Sequence, residues 1–115
     1  MALTPTEVQA IATAESAKIT YLSLHTSDPG TTGTGEATGG SPAYARKATT
    51  VTASAGVGTS TQVTFDVPAG TYTHFGTWSA ATAGTFYGGN PLATSQVVSS
   101  QGQVKLTATL TVTAS

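Results

Sequence analysis

An all-β fold, a small antiparallel sandwich or jelly-roll-like barrel with one short N-terminal helix, is predicted for this sequence by three observations. Val104, Leu106, Ala108, Leu110 and Val112 alternate strictly with Lys105, Thr107, Thr109 and Thr111, the period of a strand with one buried face. Val63, Phe65 and Val67 alternate in the same way with Thr64 and Asp66. Turn signals (Asp28-Pro29-Gly30, Pro68-Ala69-Gly70, Ala83-Gly84) punctuate the short apolar runs, as connections in a sandwich or barrel do.

In chain order, Thr4-Pro5-Thr6-Glu7 comes first. It combines an N-cap hydroxyl, a proline at the first helical position and a glutamate three residues after the cap. With Val8, Ile11 and Ala12 at helical spacing, this predicts a helix over about 5–17 with a narrow apolar face, suited to docking on a sheet. Residues 19–26 (Ile-Thr-Tyr-Leu-Ser-Leu-His-Thr) read as a strand buried on both faces at its start. Residues 26–43 are crowded with Gly, Thr and Ser and show no periodicity; a loop of that length is functional or mobile. Residues 46–52, 62–67 and 71–80 are the next expected strands. In the last of these, Tyr72, His74 and Trp78 share one parity and Phe75 takes the other. Phe65 and Trp78 are the expected anchors of the core. A strand starting at 85–87 is expected to be interrupted by Gly88-Gly89-Asn90-Pro91, and the closing strand to run to the chain end.

With 115 residues the chain is expected to form one domain, 1–115, around one thin core. Only 8% of residues are charged, four basic and five acidic, against about a quarter in an ordinary globular domain. Threonine hydroxyls take over the surface, and β-branched Thr suits the solvent face of a strand. Few long side chains means little rotamer entropy lost on packing against neighbours, a composition suited to assembly. A net charge of −1 argues against a nucleic-acid partner. No long apolar run predicts membrane insertion, and the N-terminus lacks the basic-then-apolar order of a signal peptide. The absence of cysteine rules out disulfides and thiolate metal sites, consistent with synthesis in a reducing cytoplasm.

The chemical inventory is thin. His25-Thr26-Ser27-Asp28 offers an imidazole, two hydroxyls and a carboxylate, but a hydrolase needs the acid to hold the base and the base to face the nucleophile. Asp28, just before Pro29-Gly30, is expected to cap its own turn instead. His74 would need metal-binding partners, and His25 is the only other imidazole; a half-buried histidine with one satisfied nitrogen is the expectation. Tyr72, Trp78, Phe86 and Tyr87 are a conceivable sugar-stacking platform, although core packing is the ordinary role of such residues. Gly33-Thr34-Gly35 and Gly88-Gly89 lack a Walker lysine and read as turns. No catalytic residue, cofactor or metal ligand is expected.

Five blocks carry a family resemblance: Leu24-His25-Thr26-Ser27-Asp28-Pro29-Gly30, Gly39-Gly40-Ser41-Pro42-Ala43-Tyr44-Ala45-Arg46, Val67-Pro68-Ala69-Gly70, Thr73-His74-Phe75-Gly76-Thr77-Trp78 and Gly84-Thr85-Phe86-Tyr87-Gly88-Gly89-Asn90-Pro91-Leu92. In this order they resemble the small tail-fibre or minor-tail-type virion proteins of actinobacterial tailed phages. Thr77 departs from the pattern, standing where an apolar residue is expected. The resemblance implies a non-enzymatic subunit displayed on the virion, with no catalytic residues to carry over. Its implied partners are other virion proteins of the tail or capsid, and a homo-oligomer, with a trimer suggested because tail tips and capsid three-fold positions both offer that symmetry. Capsid decoration is the alternative placement, suited to small size and low charge. A glycan-binding receptor module is the second alternative, and it requires Tyr72 and Trp78 exposed side by side. The helix and the 26–43 loop are the expected contact surfaces, with Asp28, Glu36, Tyr44 and Arg46 as candidate contacts. Tyr44 and Arg46 are expected to bond or stack across the loop, whose deletion should leave folding intact.

Overall fold

A computed structural model of the chain describes residues 4–111. The elements are α1 (Pro5–Lys18), β1 (Tyr21–His25), β2 (Lys47–Ala48), β3 (Val51–Ser54), β4 (Val57–Ser60), β5 (Val63–Val67), β6 (Gly70–Trp78), β7 (Phe86–Val98), β8 (Gly102–Leu106) and β9 (Thr109–Thr111). The strands form three antiparallel sheets, ordered β2-β1-β6-β7, β3-β4-β9 and β5-β8. The result is the antiparallel β sandwich with one N-terminal helix that the patterning predicts.

Helix α1 begins where its capping signal places it. Thr4 Oγ1 accepts a hydrogen bond from the Glu7 amide at 3.2 Å, satisfying one of the orphan donors of the first turn. Its buried face differs from the expected Val8-Ile11-Ala12 stripe: Ala12 and Ser16, one turn apart, are buried, while Ile11 is 39% exposed. The sheet beneath explains this. A Cβ on Gly58 of β4 would fall 2.8 Å from Ser16 Oγ and 3.0 Å from Val51, so helix and hairpin approach too closely for larger residues. Gln9 adds a polar tie, its Oε1 accepting from the Gly56 amide at 2.6 Å and its Nε2 donating to the Ala53 carbonyl at 3.3 Å.

The core lies between the first sheet and the β5-β8 ribbon. Leu22, Leu24, Tyr72 and Phe75 meet Val63, Phe65, Val67, Val104 and Leu106, all buried. Tyr72 keeps its hydroxyl satisfied on the Pro68 carbonyl at 2.7 Å. A register shift between Tyr72 and His74 turns both Tyr72 and Phe75 toward this core, overriding their opposite parity in the sequence. Trp78 is buried but packs outside this cluster, so of the two expected anchors only Phe65 belongs to the core.

Three expected strands are divided differently. The 46–52 segment splits into β2 and β3, which join different sheets. The closing segment splits likewise: Val63 pairs with Leu106 on one side of the break, and Gly58 with Leu110 on the other. At the break, Ala108 exchanges bonds with Ser60, its amide donating to Ser60 Oγ at 2.8 Å and its carbonyl accepting from the Ser60 amide at 2.9 Å. Inward parity survives across it, with Val104, Leu106 and Ala108 all buried. Val112, expected in this strand, lies outside the described residues. Conversely, β7 runs through Gly88-Gly89-Asn90-Pro91 without interruption. It is the outer strand of its sheet, where a proline removes no ladder donor.

Candidate functional site

The 26–43 loop is neither open nor independent of the core. Asp28 Oδ1 accepts from the Gly30 amide at 2.9 Å, as a self-capped turn requires. The Pro29 carbonyl accepts from the amides of Gly33 (2.9 Å) and Thr34 (3.2 Å), and Pro29 itself is fully buried. The chain then returns to β1: Thr26 donates to Gly35, Ala37 donates to the Leu24 carbonyl, and Glu36 bridges to His25. Gly33, at φ +81°, lies against Trp78, where a Cβ would fall 2.6 Å from the indole ring.

This return places Glu36 beside Tyr44 and Arg46. Arg46 grips the Glu36 carboxylate with both Nε (2.9 Å, to Oε2) and Nη2 (3.0 Å, to Oε1), the bidentate fork that distinguishes arginine from lysine. Its Nη1 donates to the carbonyls of Ala80 (3.2 Å) and Ala83 (2.8 Å). The guanidinium carbon sits 3.4 Å from the centre of the Trp78 ring, a cation–π stack. Tyr44 donates its hydroxyl to Glu36 Oε2 at 2.9 Å and accepts from the Leu24 amide at 3.0 Å. Burial, reinforced by Glu36, pushes the Tyr44 phenol well above its usual range, so it remains a donor to the carboxylate.

Beneath Arg46 a buried relay continues inward. Trp78 Nε1 donates to Ser23 Oγ (2.8 Å), Ser23 Oγ lies 2.6 Å from His25 Nε2, and His25 Nδ1 lies 2.8 Å from the Thr34 carbonyl. A carbonyl only accepts, so His25 carries a proton on Nδ1; burial favours the neutral ring, whose Nε2 then accepts from Ser23 while the Ser23 oxygen accepts from the indole. Phe86 packs alongside, 5.0 Å from Trp78 and 6.5 Å from His25 between ring centres. Ser23 and His25 stand at the distance of an activated nucleophile and its base. Both are fully buried, however, and the outer imidazole nitrogen meets a carbonyl rather than a carboxylate. In this arrangement they tie β1 to the loop and to Trp78.

Burial lowers the His25 pKa below 6.5, against the opposing pull of the Thr34 carbonyl and Glu36. The sign follows: above about pH 6.5 the imidazole is neutral whether the chain is folded or unfolded, and stability is flat. Below that, the unfolded chain takes up a proton that the folded chain refuses. Stability therefore falls on acidification with a slope of at most about 1.4 kcal/mol per pH unit. Urea unfolding between pH 7.5 and 5 should show this loss in the wild type and a shallower one in His25→Gln; parallel curves would contradict it.

Of the four candidate contacts, the structure brings Glu36, Tyr44 and Arg46 together and leaves Asp28 apart, exposed at its turn. Tyr72 and Trp78 are only 2% and 7% exposed, so they form no surface platform for a glycan. His74 is half-buried, with Nδ1 2.8 Å from Thr73 Oγ1. Among the described residues no group of three His, Cys, Asp or Glu is placed to hold a metal ion. Thr77, the departure from the family pattern, is buried all the same, its hydroxyl donating to the Gly88 carbonyl at 2.8 Å. Deleting the loop, expected to leave folding intact but to abolish incorporation into particles, would also remove buried Pro29 and the Thr34 carbonyl that holds His25. Ser23 and Thr34 join this network without a sequence motif to mark them. Ser23 was detectable as a hydroxyl sharing its strand parity with His25 inside an otherwise apolar segment.

A family model described as Podophage GP4 fiber I protein gp80 matches residues 8–113. No curated protein and no solved structure matches the chain.

Proposed function

The chain belongs to the podophage GP4 fiber I protein gp80 family of phage fibre proteins, and from that premise we propose that it is a non-enzymatic subunit of the tail, tail tip or fibre, displayed on the particle. The observation that carries this reading is the extent of the match, which takes in all nine strands and most of α1. The build suits display, because Glu36, gripped by Tyr44 and Arg46, fixes the loop's return to β1 while its outer turn stays exposed. The subunit contacts its virion partners through α1 and the outer turn of the loop around Asp28, where side chains are exposed. A trimer is the assembly that tail symmetry favours. The minor-tail placement and actinobacterial host rest on the motif resemblance.

Immunogold labelling of purified particles, with an antibody raised against the isolated chain, tests the placement. Gold at the tail or its fibres is the expected result. Gold spread over the head would overturn it in favour of capsid decoration.

A further inference from the structure

Two free strand edges face one another across a single groove. Strand β7 is hydrogen-bonded to β6 alone and β8 to β5 alone among the described residues. They are consecutive strands joined by the short turn 99–101, yet they do not pair. Instead they splay apart, and the space between them is a groove of about 270 Å³ lined by Leu92, Thr94 and Gln96 from β7 and by Val104, Leu106 and Thr107 from β8 and its end. Elsewhere β1, β6 and β7 are bonded in turn, and β2 lies beside β5 without pairing with it. The β7–β8 seam is the gap in the wall that holds a groove.

The ladder that ties β7 to β6 is itself irregular. Tyr72 pairs with Gln96 and His74 with Pro91, so the four residues 92–95 stand opposite Thr73 alone. Ala93, Thr94, Ser95, Gln96 and Val97 are all exposed, Val97 at 75%. Proteins protect such edges with charges, prolines or bulges; Phe86–Val98 carries Pro91 and two register shifts but no Lys, Arg, Asp or Glu, and no proline follows Pro91 along the groove. The β2 edge, by contrast, is two residues long and carries Lys47.

We infer that the β7–β8 seam accepts one extended segment of another particle protein, which completes the wall by strand addition. The two edges dictate its chemistry. Main-chain groups along both walls are matched only by an extended backbone. Half-buried Leu92, beside the core-facing Val104 and Leu106, calls for apolar residues at alternate positions. The walls carry one charge, Lys105, so the segment is largely uncharged. This inference rests on the virion reading and adds to it the kind of partner and its place.

Site-specific photo-crosslinking in assembled particles tests it, with benzoylphenylalanine introduced at Thr94, at Thr107, or at Thr52 on β3 as a control. All three positions are exposed, so the substitutions spare the core. The expected result is adducts from Thr94 and Thr107, but not Thr52, to the same extended segment of a different virion protein. Adducts to a second copy of this chain, adducts to its own residues, or no adduct from a chain that is present in the particle would each overturn it. Absence of the chain from particles would be seen separately, as loss of the unlinked band, and would sink the virion reading along with the inference.

Discussion

Arg46→Ala is expected to lower the free energy of unfolding by about 3–4 kcal/mol, a large fraction of the total for a chain of this size. The substitution removes both bonds to Glu36 and both bonds to the 80–83 turn, and it uncovers Trp78. The Arg46 and Glu36 side chains are 10% and 21% exposed, so this is not a solvated surface pair of the kind that contributes almost nothing. A carboxylate left half-buried without its cation accounts for most of the loss. Glu36→Gln keeps a neutral acceptor for Arg46 and Tyr44 and should cost less, about 1–2 kcal/mol. Arg46→Lys should fall nearer to alanine than to wild type, because an ammonium cannot make the fork or the stack. Trp78 is the sole tryptophan, so its fluorescence reports both unfolding and uncovering. A change below about 0.5 kcal/mol for Arg46→Ala would mean that the clamp is ornamental.

Ser23→Ala is expected to cost about 3 kcal/mol, although it deletes one oxygen and leaves little cavity. That oxygen serves two buried partners, Trp78 Nε1 and His25 Nε2. Removing it strands a donor and an acceptor together, each at about 1–3 kcal/mol. Ser23→Cys fills the space with a weaker partner and should recover part of the loss. The signature that separates this from loose packing is electronic: the Trp78 indole N–H proton should shift upfield in the NMR spectrum as its acceptor disappears. An unchanged indole resonance would show that the relay is not formed.

What the residues disclosed and what they hid follow from range. The Thr4 cap, the Asp28 turn and the Val63-Phe65-Val67 face are local, each decided within a few residues, and the structure agrees with all three. The breaks at 49–50 and 107–108 were hidden because inward parity continues when a strand changes sheets. Strand β4 has no legible apolar alternation, because Gly58 stands in it to admit Ser16 of the helix. Tyr44 and Arg46 stand out in the sequence as a pair able to bond or stack across the loop; both bond to it, but Arg46 stacks on Trp78 and Tyr44 on Phe65. Their common partner Glu36 lies eight and ten residues earlier, across an aperiodic loop, and only the return of that loop to β1 joins them. Trp78 was expected in the main core because burial was legible but the face was not: a tryptophan needs a partner for its N–H, and Ser23 supplies one on the other side of the sheet.

The copy number of this chain in purified virions, measured by quantitative mass spectrometry against the major capsid protein, most directly tests whether it is a fibre subunit. A handful of copies per particle, in a ratio set by tail symmetry, is the predicted result. A number comparable to the capsid protein would make it a decoration subunit, and complete absence would remove it from the particle.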